Sequence, residues 1–173
     1  MKKILLDASS AILLFKSNLF EQLIEVYQVT MAESVNKELT IDGYPGAKEF
    51  ANRLAEKRYS LVPADQIPEM HGTLPQVIAG LHRGELQTIR LYENGYADFV
   101  IIDDGKGAGY CKRHKIPFLN ALLFPKVLLF SKRLPEDLCK QKMEFLITAG
   151  RYSPEIIDWA KSCSEESLDF FLP

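Results

Sequence analysis

At 173 residues the chain has the length of one domain, and its 47% hydrophobic residues can fill a core. A formal net charge of -2 counts against a polycation that coats nucleic acid along its whole surface. The three cysteines, Cys111, Cys139 and Cys163, are widely spaced and include no Cys-x-x-Cys pair, which excludes a disulfide framework or zinc knuckle and suits a reducing cytoplasm.

Ile4-Leu5-Leu6 is a short apolar run that ends in Asp7-Ala8-Ser9-Ser10. Asp7 interrupts the apolar stretch too early for a signal peptide. A helical pattern opens over Ala11 to Phe15, and apolar residues at three- and four-residue spacing continue from Leu19 to Tyr27. Val26 to Met31 is β-rich, and Glu33 to Leu39 favours helix. Gly43, Pro45 and Gly46 break the chain. Ala47 to Lys57 then reads as an amphipathic helix and Tyr59 to Val62 as a strand, with Pro63 to Pro75 irregular.

Gln76 to Asn94 has helical periodicity interrupted at Arg83-Gly84 and stops at Gly95. Ala97 to Ile102 is apolar apart from Asp98, as in a buried parallel strand, and ends in Asp103-Asp104-Gly105. Lys106 to His114 reads as a helix and Ile116 to Leu119 as a strand. From Phe124 onward the chain is mostly helical, with Ser153-Pro154 marking a helix start. The apolar stretch from Leu119 to Phe130 is too short to cross a bilayer and contains Pro125 and Lys126, so no membrane partner is expected. Strands alternating with helices predict an α/β fold, a three-layer α/β/α arrangement around a mainly parallel twisted sheet. Residues 1–173 are expected to form one unit, with a helical extension over about 124–173 packed on it.

Charge is unevenly spread. Lys112, Arg113, Lys115, Lys126, Lys132, Arg133, Lys140 and Lys142 lie between Lys106 and Arg151, whereas Glu165, Glu166 and Asp169 make the end acidic. Such a run can steer a polyanion, although a solvated surface is the commoner meaning.

Two apolar strands end in carboxylates, Asp7 and the pair Asp103 and Asp104, and ligands of parallel sheets bind outside those strand ends. Glu38 and Glu85 sit on helical segments that can lean over the same edge. Carboxylates crowded together raise one another's pKa unless a cation neutralises them. Hard oxygen donors without a His or Cys cluster suit Mg²⁺ or Mn²⁺. Each aspartate alone is as readily a helix cap or turn former. Gly105-x-Gly107-x-Gly109 follows a strand but lacks the full dinucleotide or P-loop pattern, and reads as a flexible helix start. His71, His82 and His114 have no metal-ligand spacing, and His82 is expected to face solvent.

Leu5-Leu6-Asp7-Ala8-Ser9-Ser10 resembles the opening of PIN domains. Ala32 to Leu39 is similar to the segment that supplies their second acid, here Glu38. Gly84-Glu85-Leu86 resembles the Gly-Glu helix start of a short prokaryotic branch related to VapC-type toxins. Phe99 to Gly107, with Asp103-Asp104, matches that branch's strand and paired aspartates, and Lys112 to Pro117 fits the step that follows. The likeness spans about residues 4–160. It implies a metal-dependent ribonuclease, often the toxin of a toxin–antitoxin pair, in which Asp7, Glu38, Glu85 and Asp104 are catalytic and hold Mg²⁺ or Mn²⁺. Asp103 is a further ligand candidate, although only one of the pair need face the metal and the family favours Asp104. Ser9 is a supporting residue, able to bond a carboxylate or metal-bound water or to cap the next helix. Lys106, Lys112 and Arg113 are candidates for RNA phosphate contacts. A homodimer and a small antitoxin partner are also implied. Ala108 stands where the branch carries Arg, Asn120-Ala121 where it carries Gly-Thr, and bulkier residues such as Arg90 where small ones are expected. These departures motivate the alternative of a catalytically weakened module that binds nucleic acid or protein.

Overall fold

The computed structural model describes residues 1–44, 46–67 and 81–173. Five strands among them, β1 (Lys3–Leu6), β2 (Gln28–Ala32), β3 (Ser60–Val62), β4 (Phe99–Ile101) and β5 (Phe118–Leu119), form one sheet. Their order is β3-β2-β1-β4-β5, and every pairing is parallel. Parallel neighbours need crossovers, and helices supply them. α1 (Ala8–Lys16) and α2 (Phe20–Val26) join β1 to β2, and α3 (Glu33–Leu39) and α4 (Ala47–Ala55) lead towards β3. α5 (Arg83–Glu93) precedes β4, and α6 (Gly105–Arg113) joins β4 to β5.

Ile4, Leu5 and Leu6 of β1 and Phe99, Val100 and Ile101 of β4 are all fully buried. Successive strand residues point to opposite faces, so both faces of the central strands are covered. This is the expected three-layer α/β arrangement. The chain builds outward from β1 to β3 on one side and then returns to place β4 on the other. The strand order therefore reverses between β1 and β4, and both strands end in aspartate.

Several boundaries differ from the periodicity for local reasons. α1 starts at Ala8 because Asp7 caps it, accepting from Ser10 N at 2.9 Å. Asn18, at φ 55°, turns the chain between α1 and α2, and Lys57, at φ 56°, follows the end of α4. Arg83-Gly84 is the first turn of α5, and Leu81 and His82 just before it are not helical. Residues 76–80 of the expected helix, most of the irregular stretch before it, His71 and Pro45 lie outside the described residues. β4 is shorter than the apolar run, and Asp98 just before it meets Lys3 of β1 twice, its amide donating to Lys3 O at 2.9 Å and its side chain accepting from Lys3 N at 2.8 Å.

Beyond β5 come α7 (Phe124–Phe130), α8 (Glu136–Ala149), α9 (Pro154–Ser162) and α10 (Glu165–Leu168). α7 packs on α8 and α10 on α7. The end of the chain returns to the sheet, where Phe171 stands edge-on to Phe99 with ring centres 5.1 Å apart. Tyr27 Oη donates to the Phe171 carbonyl, and Lys2 Nζ to that of Leu172. The basic run is not one continuous free face. Lys126 donates to the carbonyls of Lys161 and Cys163, Lys142 to Ser17 O, and Lys140 pairs with Glu136. The three cysteines are free and buried. No helix among the described residues is long and apolar enough to cross a membrane.

Leu5 sits in the middle strand of this core with no exposed surface. Truncating it leaves a cavity that packed neighbours fill only in part. Leu5→Ala is expected to cost about 2–5 kcal/mol, read as a lower urea midpoint with an unchanged m-value.

Candidate active site

β1 and β4 lie side by side, with Leu6 opposite Ile101. The reversal of strand order leaves a crevice beyond their carboxyl ends, where neighbouring crossover helices diverge. Asp7 N donates to Ile101 O, so Asp7 extends the ladder by one residue before the chain turns into α1. Asp104 follows β4 and caps α6, its Oδ1 accepting from Lys106 N at 2.8 Å and Gly107 N at 3.2 Å. Both aspartates are therefore helix caps, and both also line one pocket of about 190 Å³. Capping does not use up a carboxylate, which has about four lone-pair sites. Because Asp104 satisfies the first amides of α6, Gly105-x-Gly107 offers no open phosphate cradle there.

The same pocket receives Glu38 from α3 and Glu85 from α5. Glu85 is buried, and its Oε2 accepts from His82 N at 3.0 Å, which fixes the carboxylate at the start of its own helix. It also meets the Asp104 carboxyl group. Two glycines allow this convergence. A Cβ on Gly84 would lie 3.1 Å from Glu38 Oε1 and from Val35 Cγ2. One on Gly107 would lie 2.3 Å from Ile102 Cδ1 and 3.8 Å from Glu85 Cδ. Close approach of α5 to α3, and of α6 to β4, is what the Gly-Glu and Asp-Asp-Gly-x-Gly patterns provide. His82 is exposed, as its helix position suggests, and its ring stands on the pocket wall.

Burial controls the electrostatics. Asp7 is 2% exposed, and desolvation with repulsion from Asp103 pushes its pKa up to about 7, against lowering contributions from Ser10 and Ser9. Ser9 Oγ donates to Asp7 Oδ2 at 2.5 Å. Burial likewise raises the pKa of Glu85, with Asp104 adding to the effect. Ser10 Oγ is buried without a partner at hydrogen-bonding geometry, yet lies close enough to Asp7 and Asp103 to lower the pKa of each.

Asp103 takes a different position. Its Oδ2 accepts from Ala121 N at 2.8 Å and its Oδ1 from Tyr152 Oη, and it lines a neighbouring cavity instead of the acidic pocket. Burial raises its pKa against those hydrogen bonds. Sequence reasoning did not find Tyr152, which lies 49 residues from Asp103 and in no recognisable motif. Lys106, Lys112 and Arg113 are exposed on α6. Of these, only Lys112 lines the cavity beside Asp103, and none lines the acidic pocket.

The donor set fits a hard divalent cation, being all carboxylate with a hydroxyl in support. Among the described residues no three His, Cys, Asp or Glu side chains stand together as a preformed cage. An ion here would draw the carboxylates inward or reach them through its own waters, as Mg²⁺ commonly does.

A sequence model of one protein family, described as PIN domain, matches residues 3–159. No curated protein and no solved structure matches the chain significantly.

An acid whose folded-state pKa lies above its unfolded value destabilises the fold once it must ionise. For Asp7 that stability is complete below about pH 4 and is lost as pH rises towards about 7, because only the unfolded chain releases the proton in between. In metal-free buffer, wild-type stability should therefore fall more steeply than that of Asp7→Asn between pH 4.5 and 6.5. One proton corresponds to about 1.4 kcal/mol per pH unit, and urea titrations at several pH values measure it. Parallel slopes for the two proteins would mean that Asp7 ionises normally.

Proposed function

The chain belongs to the PIN domain family, and from that premise we propose that it is a metal-dependent ribonuclease that hydrolyses phosphodiester bonds of RNA. PIN domains are generally nucleases, so the finer points, RNA as substrate and Mg²⁺ or Mn²⁺ as the ion, are this proposal's own. The observation that carries it is the convergence of Asp7, Glu38, Glu85 and Asp104 on one pocket at the reversal of strand order.

In this reading the four carboxylates hold one or two divalent ions, directly or through water. When bound, such ions supply Lewis acidity for the phosphoryl group and lower the pKa of an attacking water. The chain's own contribution is positional. Ser9 and the Ser10 amide hold Asp7 at the end of β1. The His82 amide holds Glu85, and the Lys106 and Gly107 amides hold Asp104. Asp7, Glu85 and Asp104 are thereby restrained before an ion arrives, which reduces the entropy lost on binding. Asp103, which lines the neighbouring cavity and holds the Ala121 amide and Tyr152, is a positioning residue that secures the turn beyond β4. Burial leaves Asp7 and Glu85 with raised proton affinity, so a cation would displace protons and binding should strengthen from pH 6 to 8.

Loss of turnover is the second reading, favoured by Ala108 and by Asn120-Ala121. The side chain of Asn120 caps the short turn after β5, accepting from Leu123 N at 3.1 Å, and Ala121 serves Asp103 through its backbone amide. That structural duty leaves the acidic pocket intact, so catalysis is the preferred conclusion. A toxin role would further require a neighbouring small antitoxin gene whose product relieves growth arrest.

Purified protein with short single-stranded RNAs and Mn²⁺ should cleave them, and Asp7→Asn/Asp104→Asn should lower the rate by at least about 10²–10³-fold, the scale of losing one dominant electrostatic stabiliser. Mn²⁺ should raise the melting temperature of the wild type and not of the double variant. Equal cleavage by both proteins would identify a contaminant. Cation stabilisation without cleavage of any RNA would select the binding module.

A further inference from the structure

Beside the acidic pocket lies a second, larger cavity of about 620 Å³ that the reaction as proposed does not use. One wall is the face of α6 formed by Gly105, Ala108, Gly109 and Lys112, at the three- and four-residue spacing that puts them in one row. The first three have no side chain beyond a methyl group, so the helix backbone itself borders the space. The opposite wall is the start of α9, with Ile156 and Trp159. Trp159 is 47% exposed, an unusual state for the chain's one tryptophan. A size of roughly 300–1,000 Å³ with mostly apolar walls and a few polar groups is usual for small-ligand sites.

The polar groups divide by function. Asp103 is occupied by Tyr152 and the Ala121 amide, and Glu155 by Ser153 at the start of α9. Lys112 and Arg151 are exposed on the rim, and no ion pair among the described residues engages either. The groove thus offers an aromatic face, an apolar bed and two cations. It borders the same turn of backbone as the carboxylate pocket. Asp103 and Gly105 line the groove and Asp104 lines the pocket, and consecutive Cα atoms are only about 3.8 Å apart. The two cavities thus flank the single turn that carries Asp103 and Asp104.

We propose, building on the ribonuclease reading, that this groove receives an unpaired base of the RNA strand next to the cleaved phosphodiester, stacked on Trp159, with Lys112 and Arg151 contacting the flanking phosphates. A flat, amphipathic base fits an aromatic wall and a bed without side chains, and every base has a π face to stack. Duplex RNA could not insert a base there without unpairing it. The groove therefore selects single-stranded substrate.

Because Trp159 is the single tryptophan, its emission reports on this groove alone. Short fluorescein-labelled single-stranded RNA, titrated at low temperature with Ca²⁺ in place of Mn²⁺, should raise anisotropy and change Trp159 emission with the same midpoint. An abasic ribose-phosphate oligomer of equal length should leave the emission unchanged. Trp159→Ala should weaken RNA binding by about 10- to 100-fold, while Trp159→Phe restores most of it. Lys112→Gln/Arg151→Gln should flatten the dependence of log affinity on log salt by about 1.4. Circular dichroism melts would check that each variant remains folded. RNA that binds, or is cleaved in Mn²⁺, while Trp159 stays silent would overturn the groove assignment and leave the nuclease reading standing. An equal response to the abasic oligomer would do the same. Absence of RNA binding together with absence of cleavage would remove both.

Discussion

The structure turns on placing carboxylates where water cannot fully solvate them. β1 and β4 are neighbours at the reversal of strand order, so the residues that follow them are forced into one crevice. Those residues are Asp7 and Asp104, while Asp103 between β4 and Asp104 turns into the neighbouring cavity. Desolvation acts against the charge of Asp7 and of Asp103, with repulsion from Asp103 adding to it at Asp7, and the surrounding amides and hydroxyls only partly offset it. A fold that needed only stability would place other groups there. Buried, perturbed carboxylates in a crevice are a functional signature in general, and the family match gives that signature a chemistry.

Capping and ligation are usually treated as competing explanations for an aspartate after a strand. In the proposed site they coexist. The amide at N3 of α1 binds Asp7, and the first amides of α6 bind Asp104, so each helix start fixes a carboxylate at the pocket wall. The partial positive charge of a helix start also favours the ionised form. Glu85 reaches the same end by a different route, bonding back to the amide just before its own helix. Gly84 and Gly107 remove the bulk that would keep these elements apart. Local backbone chemistry thus organises a long-range cluster.

The helices beyond β5 do more than cover the sheet. Tyr152, just ahead of α9, holds Asp103, and the tail places Phe171 against Phe99 at the heart of the sheet. The extension is therefore tied both to the turn that presents Asp104 and to the strand that precedes it. Its α9 also forms the far wall of the groove beside the carboxylates. On the proposed reading, substrate choice and the integrity of the site are coupled through this one segment.

Much was legible in the sequence because strand and helix periods are local. Apolar runs bounded by turn residues located each strand, and Asp7 and Asp104 were identifiable as strand-end acids. Glu38 and Glu85 were readable as acids on helices able to lean over that edge, but only family likeness gave them a role, since an acid on a helix has no local mark of function. Strand alternation let only one of Asp103 and Asp104 face the ions and family likeness favoured Asp104, but what would hold Asp103 was not legible. Adjacent residues are chemically identical in the sequence, and only the packing of Tyr152 and the Ala121 amide gives Asp103 its separate place. The basic run shows the same limit, because Lys126, Lys140 and Lys142 are spent on carbonyls or a neighbouring glutamate that no charge pattern reveals. The sequence alone determined the strand ends, the helix caps and the acidic residue types, all set by interactions within a few positions. Tertiary structure decided which carboxylates share a pocket and that Trp159 faces a groove, because both depend on the order of strands and the path of the last helices.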